Sequence, residues 1–324
     1  MHPPETGFLP DGRLRLPPTV LAALAAFVFA IAGSPILRAA PTPFVVVSYN
    51  VENYLVAGVG TRQAKPEAQR DRVASILAGL RPDVVALVEV GGTNALLDLQ
   101  ERLRRNGTAL PNWELVPGHD EAIQVALLSR FPVVARRPHT NDAFLLGGRR
   151  LRTSRGILEA DIEPHGGYRF TLFAAHLKSK RTSAVADESE IREQEARVLR
   201  NHVERRLREQ PGANVLVCGD FNDTRDSRAI RILVGAGSNL PLTDTRPAER
   251  IPGAPASAGR SRREVTWTHF YAKEDTYSRF DYVLLSPGMT REWRREGSYL
   301  PVAADWGEAS DHRPVVTEFQ PEDR

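Results

Sequence analysis

A single cysteine, Cys218, occurs in the 324 residues, which excludes an internal disulfide and any cysteine-rich metal site. It ends the apolar run Asn214-Val215-Leu216-Val217-Cys218, where an inert strand residue of the core is expected. Charge of one sign is also lacking: 43 basic residues face 40 acidic ones, and beyond residue 40 the balance is 40 to 38, about +2. So mild a bias suits a polyanionic partner but equally describes an ordinary solvated surface. No internal repeat is present. The apolar run near the N-terminus, Thr19 to Ala32, is fourteen residues long and too short to span a bilayer comfortably.

That run has features of its own. Arg13 and Arg15 precede it, Gly33-Ser34-Pro35 closes it, and small residues follow at Ala39 and Ala40. This is the order of a secretory signal peptide over residues 1–40, with cleavage after Ala32, Ala39 or Ala40; uncleaved, the segment would be an N-terminal membrane anchor. Pro17, Pro18, Pro35, Pro41 and Pro43 fence the run and argue against a buried core helix. The protein is therefore expected to be exported, with residues 41–324 forming the working domain. Without a disulfide it must rely on packing.

From residue 44 onward, runs rich in Val, Leu and Phe alternate with longer polar stretches. Phe44 to Ser48, Val84 to Val88, Val125 to Leu128, Ile157 to Ile162, Phe170 to Ala174, Val215 to Cys218 and Tyr282 to Leu285 read as strands. Helices are expected from Pro66 to Leu80, from Asn94 to Arg105 and from about Glu188 to Arg208; the last carries an inner stripe of Ile191, Val198, Leu199, Val203 and Leu207. Short connections, such as Ser129-Arg130-Phe131-Pro132 between Val125–Leu128 and Val133–Ala135, predict antiparallel or mixed pairing. The class is α+β, two sheets packed face to face with helices outside. Pro252 to Gly259, followed by Arg260, Arg262 and Arg263, reads as a surface loop.

Polar residues sit at the ends of these strands. Val45-Val46-Val47-Ser48-Tyr49-Asn50 ends on an amide, and Val84-Val85-Ala86-Leu87-Val88-Glu89 on a carboxylate, which is costly beside apolar surroundings unless it is paired or bound to a cation. Phe173-Ala174-Ala175-His176 ends on an imidazole. In Gly219-Asp220-Phe221-Asn222-Asp223, extended backbone would put Asp220 and Asn222 on one side and Phe221 on the other. Asp281 opens the strand Tyr282 to Leu285, and Ser310-Asp311-His312 precedes a further apolar run. A carboxylate on one ring nitrogen would orient His312 and raise its pKa, which makes Asp281 its candidate partner.

In this order the motifs resemble the endonuclease/exonuclease/phosphatase superfamily, which includes deoxyribonucleases, abasic-site endonucleases, sphingomyelinases and inositol polyphosphate phosphatases. The resemblance runs from Ser48-Tyr49-Asn50 to Ser310-Asp311-His312. It implies a four-layered α/β/β/α sandwich of two mixed, mainly antiparallel sheets, and hydrolysis of phosphoesters with Mg2+, or with Mn2+ or Ca2+. It further implies Glu89, Asn50 and Asp311 as metal-site residues and Asp220 as the group that activates water, with Asn222 its amide partner on the phosphate. His176 and His312 would contact phosphate oxygens, Asp281 would support His312, and Arg155 would lie beside the scissile phosphate. The expected substrate is DNA or RNA, acted on by a monomer with no protein partner; a phospholipid or sugar phosphate is the alternative, and a non-catalytic binding protein on the same fold a lesser one. No named branch is matched closely: Asp223 stands where inositol phosphatases usually show Tyr and Arg, and pancreatic deoxyribonucleases depend on a disulfide.

Overall fold

The computed structural model describes residues 42–250, 264–302 and 305–322. The expected leader over residues 1–40 and the loop from Pro252 through Arg263 lie outside them. The strands are β1 (Phe44–Tyr54), β2 (Val84–Val90), β3 (Asn112–Val116), β4 (Gln124–Ser129), β5 (Val133–Arg136), β6 (Ala143–Leu146), β7 (Arg149–Arg152), β8 (Leu158–His165), β9 (Tyr168–His176), β10 (Val215–Asp220), β11 (Thr243–Asp244), β12 (Glu249–Arg250), β13 (His269–Tyr271), β14 (Thr276–Ser278), β15 (Asp281–Leu285), β16 (Trp293–Pro301) and β17 (Val315–Phe319). The helices are α1 (Glu67–Leu80), α2 (Thr93–Arg105), α3 (Glu188–Glu209), α4 (Arg228–Val234), α5 (Pro287–Glu292) and α6 (Trp306–Ala309).

Two large sheets carry the fold. One has seven strands in the order β12-β16-β17-β1-β2-β4-β3, the other six in the order β11-β15-β10-β9-β8-β5. Pairing is antiparallel except at β1–β2, β9–β10 and β12–β16. The period of two sorts each strand's side chains. Phe44, Val46, Phe170, Leu172, Leu216, Cys218, Val283 and Leu285 fill the gap between the sheets. Val47 and Tyr49 face outward onto Val73 and Leu77 of α1 and Leu96 and Leu99 of α2. Phe173, Val215 and Val217 face outward onto Leu199, Val203 and Leu207 of α3 and Ile230 of α4. The result is the expected four-layered sandwich. Cys218 lies in the central layer, where burial pushes its thiol up to about 12 and leaves it inert.

One local expectation fails. Val133–Ala135 does not form a hairpin with Val125–Leu128: β4 lies between β2 and β3 in the first sheet, while β5 pairs with β8 at the edge of the second. Both edges of β4 are occupied, so the chain must leave the sheet. Phe131 sits at the crossing, edge-on to Phe44 with ring centres 6.1 Å apart. In spite of the short loop, the connection therefore spans the core.

At the second sheet, Asp161 accepts from Thr171 Oγ1 at 2.7 Å, Arg137 Nη2 at 2.5 Å and Arg206 Nη2 at 3.1 Å. Burial opposes the charge, but Arg137 and Thr171 hold the carboxyl below its ordinary 3.8. The unfolded chain therefore binds this proton more readily than the folded one, and the stabilisation is complete above about pH 4 and is lost as pH falls through the lower folded value. The urea midpoint should decline between about pH 5 and about pH 3, and Asp161→Asn should flatten that decline.

Candidate active site

All the polar strand ends share one feature of register. Asp220 follows Leu216 and Cys218 at the even positions of β10, so its side chain faces the gap between the sheets. By the same count His176 follows Leu172 and Ala174, Asn50 follows Phe44 and Val46, and Asp281 precedes Val283 and Leu285. Pairing then places Asp220 opposite His176 on β9 and opposite Asp281 on β15. Where the apolar filling of the gap stops, these groups begin.

Glu89 should break this pattern, since strict alternation sends it outward with Leu87. Instead Val88 and Val90 pair with the consecutive Val125 and Gln124 of β4, which leaves Glu89 as the extra residue of β2, at φ 68°. A bulge of this kind inserts one residue and re-aims its side chain. Glu52 and Asn53, with φ 44° and 47°, are left-handed on the adjoining turn. Left-handed backbone at three non-glycine residues of one corner is strain held by the surrounding structure.

Gly219 has a related role. Its φ is 129°, and a Cβ there would lie 2.0 Å from the carbonyl oxygen of Ala175. Only glycine lets β10 pass β9 this closely and still present Asp220. Gly219→Ala should lower the unfolding free energy by about 3 kcal/mol, measured by urea denaturation.

The groups meet closely. Asn50 Nδ2 donates to Asp220 Oδ2 at 3.0 Å and to Glu89 Oε1 at 3.2 Å, and lies 3.4 Å from His312 Nε2. His312 Nδ1 is 2.7 Å from Asp281 Oδ2, and its Nε2 is 3.6 Å from Asp220 Oδ2. His176 Nε2 is 3.6 Å from Asp220 Oδ2 and 3.9 Å from Glu89 Oε1. Asp220 Oδ1 accepts the Asn222 amide N–H at 2.8 Å. Asn222 is not extended as expected: at φ 52° it turns, and its Nδ2 donates to the Leu177 carbonyl at 3.1 Å. Phe221 does point away, stacked on Tyr282 in the outer core.

Burial sets the electrostatics. It pushes the Asp220 carboxyl up to about 7, with Asp281 adding to the rise and His312 opposing it. Burial works against charge on His312, yet Asp281 and Asp220 hold its pKa well above the ordinary 6.5. His176 goes the other way, well below 6.5, through burial and then the nearby cations Arg155, His312 and Arg62. Near neutrality one histidine is thus cationic and the other neutral.

Further residues complete the corner. The backbone N–H of Asp311 donates to Glu52 Oε2 at 3.2 Å, and Asp311 Oδ2 lies 3.7 Å from His269 Nε2. Burial and Asp311 raise the Glu52 carboxyl, while burial lowers Lys65, whose Nζ is 3.7 Å from Glu52 Oε2. Glu52, Lys65 and His269 were not singled out from sequence. Glu52 follows Asn50 by two, but at φ 44° it sits on the turn, so the strand period does not place it. His269 sits on the small hairpin β13–β14, and nothing local marks it. Arg155 is buried beside the site, with Nη1 3.4 Å from the Leu177 carbonyl and Nη2 3.4 Å from Asp120 Oδ2.

The donors suit a hard divalent cation. Glu89, Glu52 and Asp311 are carboxylates with Asn50 among them, and oxygen donors of this kind are what Mg2+, Mn2+ or Ca2+ takes. Burial chiefly raises the Glu52 carboxyl, with the charges of Asp311 and Glu89 adding to the rise and Lys65 opposing it. Among the described residues, Asp311 groups with His269 and His312 within 4.8 Å, whereas Glu89 stands on the Asn50 side. A second group is formed by His139, Asp142 and His202. Its rings stack 3.7 Å apart and each Nε2 meets its own carboxylate, Glu159 or Asp142, at 2.8 Å.

Residues 47–312 match the sequence profile of the Endonuclease/Exonuclease/phosphatase family. Three similar solved structures are the human Nocturnin catalytic domain with bound sulfate (19% identity, TM-score 0.58, 86% of this chain and 94% of that one), truncated Caenorhabditis elegans TDP2 (18%, 0.56, 86% and 98%), and a Bacteroides thetaiotaomicron mannosyl-6-phosphatase (18%, 0.51, 85% and 98%). At such identities the likeness concerns the fold alone. A search of curated proteins gives no match.

Proposed function

Because the chain belongs to the endonuclease/exonuclease/phosphatase family, and is at that level a phosphoester hydrolase with candidate acidic and histidine clusters for a divalent metal, we propose that it is a phosphodiesterase of the nuclease kind. Water attacks phosphorus in line as the opposite ester P–O bond breaks, giving a phosphomonoester and an alcohol without a covalent enzyme intermediate. The observation that carries this reading is the row Asp281–His312–Asp220, at 2.7 and 3.6 Å, closed by His176 at 3.6 Å. Asp220 takes the proton of the attacking water, for which a carboxylate tuned to about 7 is well matched. His312, cationic and oriented by Asp281, donates from Nε2 to a phosphate oxygen, and neutral His176 faces the same phosphate. Asn222 shapes the turn that fixes Asp220. Arg155, held by Asp120, adds positive charge beside the phosphate. A magnesium ion held by Glu89 and Asp311, with Asn50 and Glu52 beside them, would offset charge on the phosphate when bound.

DNA or RNA is the proposed substrate, and the signal-like composition of residues 13–40 supports export. Lys178 and Lys180 at the site's edge suit a phosphate backbone, as do Arg149, Arg150 and Arg152 on the hairpin β6–β7, which is exposed at Arg149, Arg150 and Arg152. The test offers purified protein plasmid DNA, RNA, sphingomyelin and bis(p-nitrophenyl) phosphate with Mg2+, Mn2+ or Ca2+. Nicking of DNA that disappears in Asp220→Ala supports the reading. Turnover of sphingomyelin alone would overturn it.

A further inference from the structure

A cleft of about 330 Å³ adjoins the site and shares Glu52 and Lys65 with its corner. Its lining includes Glu52, Asn53, Arg62, Lys65, Gln69 and Arg181. Asn53 joins it to the site, since its backbone N–H donates to Glu89 Oε2 at 2.9 Å. Three cations against one carboxylate leave the lining positive. Among the described residues, no aromatic ring and no large aliphatic side chain lines it, so they serve neither base stacking nor an acyl chain.

The cations are held in place. Lys65 is 6% exposed and donates to the Glu52 carbonyl at 2.9 Å. Arg62 is bound to the Asn53 amide oxygen, and its Nη2 lies 3.2 Å from Asp120 Oδ2. That same oxygen is 3.4 Å from Arg155 Nη2. Two guanidiniums therefore share one carboxylate, which leaves net positive charge between the cleft and the site. Lys178 Nζ donates to the Arg181 carbonyl at 2.9 Å and ties the loop that brings Arg181 in.

We propose that this cleft is a second-phosphate subsite, in which Arg62, with Lys65 and Arg181, binds the phosphate next to the scissile one in a polynucleotide strand. The inference rests on the phosphodiesterase reading above and narrows its substrate to one bearing at least two phosphates. Arg62 is the specificity-determining residue, since a guanidinium fork offers paired donors to phosphate oxygens.

The test measures binding of deoxythymidine 3′,5′-bisphosphate, deoxythymidine 5′-monophosphate and deoxythymidine 3′-monophosphate to the full chain by calorimetry. Inhibition of bis(p-nitrophenyl) phosphate hydrolysis is followed in parallel. The bisphosphate should bind about tenfold more tightly than the better monophosphate, and Arg62→Gln should erase that preference. Arg181→Gln should reduce it. Equal binding of bisphosphate and monophosphate, or a preference that survives in Arg62→Gln, overturns the subsite. A bisphosphate preference in a protein that hydrolyses no phosphodiester would instead overturn the catalytic reading and leave the subsite standing.

Discussion

Asp220→Asn is expected to lower kcat/KM on a phosphodiester by about a thousandfold while the protein stays folded. The substitution keeps the size of a side chain that is 1% exposed, and its oxygen can still accept the Asn222 N–H. It removes the proton acceptor, however, and sets an amide N–H2 against Asn50 Nδ2, which now donates to Asp220 Oδ2 at 3.0 Å. It also removes one of the three negative charges, with Asp281 and Asp311, that keep His312 cationic. Loss of a positioned base and of a charged donor should therefore coincide, with most of the effect in kcat. Steady-state kinetics with bis(p-nitrophenyl) phosphate, alongside thermal unfolding, measures both. A variant that retains a tenth of the activity would remove Asp220 from the reaction.

The second large effect belongs to a residue that need not touch substrate. Asp281→Asn should cost about a hundredfold in kcat/KM, because the 2.7 Å contact to His312 Nδ1 fixes both the ring and its charge. The sign of the pH effect follows from the cause. Burial alone would lower the pKa of His312, and Asp281 is the leading group that raises it. Without that carboxylate, His312 gives up its proton at lower pH, so the alkaline limb of the rate profile should move toward acid. A purely structural role for Asp281 would lower activity at every pH without displacing that limb.

Much of this site was legible because the period of two is exact in a buried strand. Asn50, His176, Asp220 and Asp281 each continue the inward-facing half of an apolar run, so the pattern that builds the core also aims the chemistry. Glu89 was found as a strand-end carboxylate, but the reason it reaches the site is a bulge that alternation does not reveal. The three long helices came through within a residue or so at each end, since Val73, Leu77, Leu199 and Val203 mark the buried faces plainly, whereas the short helices α5 and α6 were not expected. What escaped depends on contacts far apart in sequence. The strand from Val133 crosses to the opposite sheet because β4 has no free edge, and the loop that precedes it carries no sign of this. His269 reaches Asp311 from a small separate hairpin, 42 residues along the chain, and Lys65 meets Glu52 from the turn before α1.

The central claim is that the ends of strands from two sheets hold one divalent ion against one phosphate. Its most direct test is the metal dependence of phosphodiester hydrolysis by EDTA-stripped protein, in wild type and in Glu89→Gln. Stripped wild type should be inactive and regain turnover on addition of Mg2+ or Mn2+, whereas Glu89→Gln should need at least about tenfold more metal for half its maximal rate. Full hydrolysis in EDTA, or an unchanged metal requirement in Glu89→Gln, would contradict the claim.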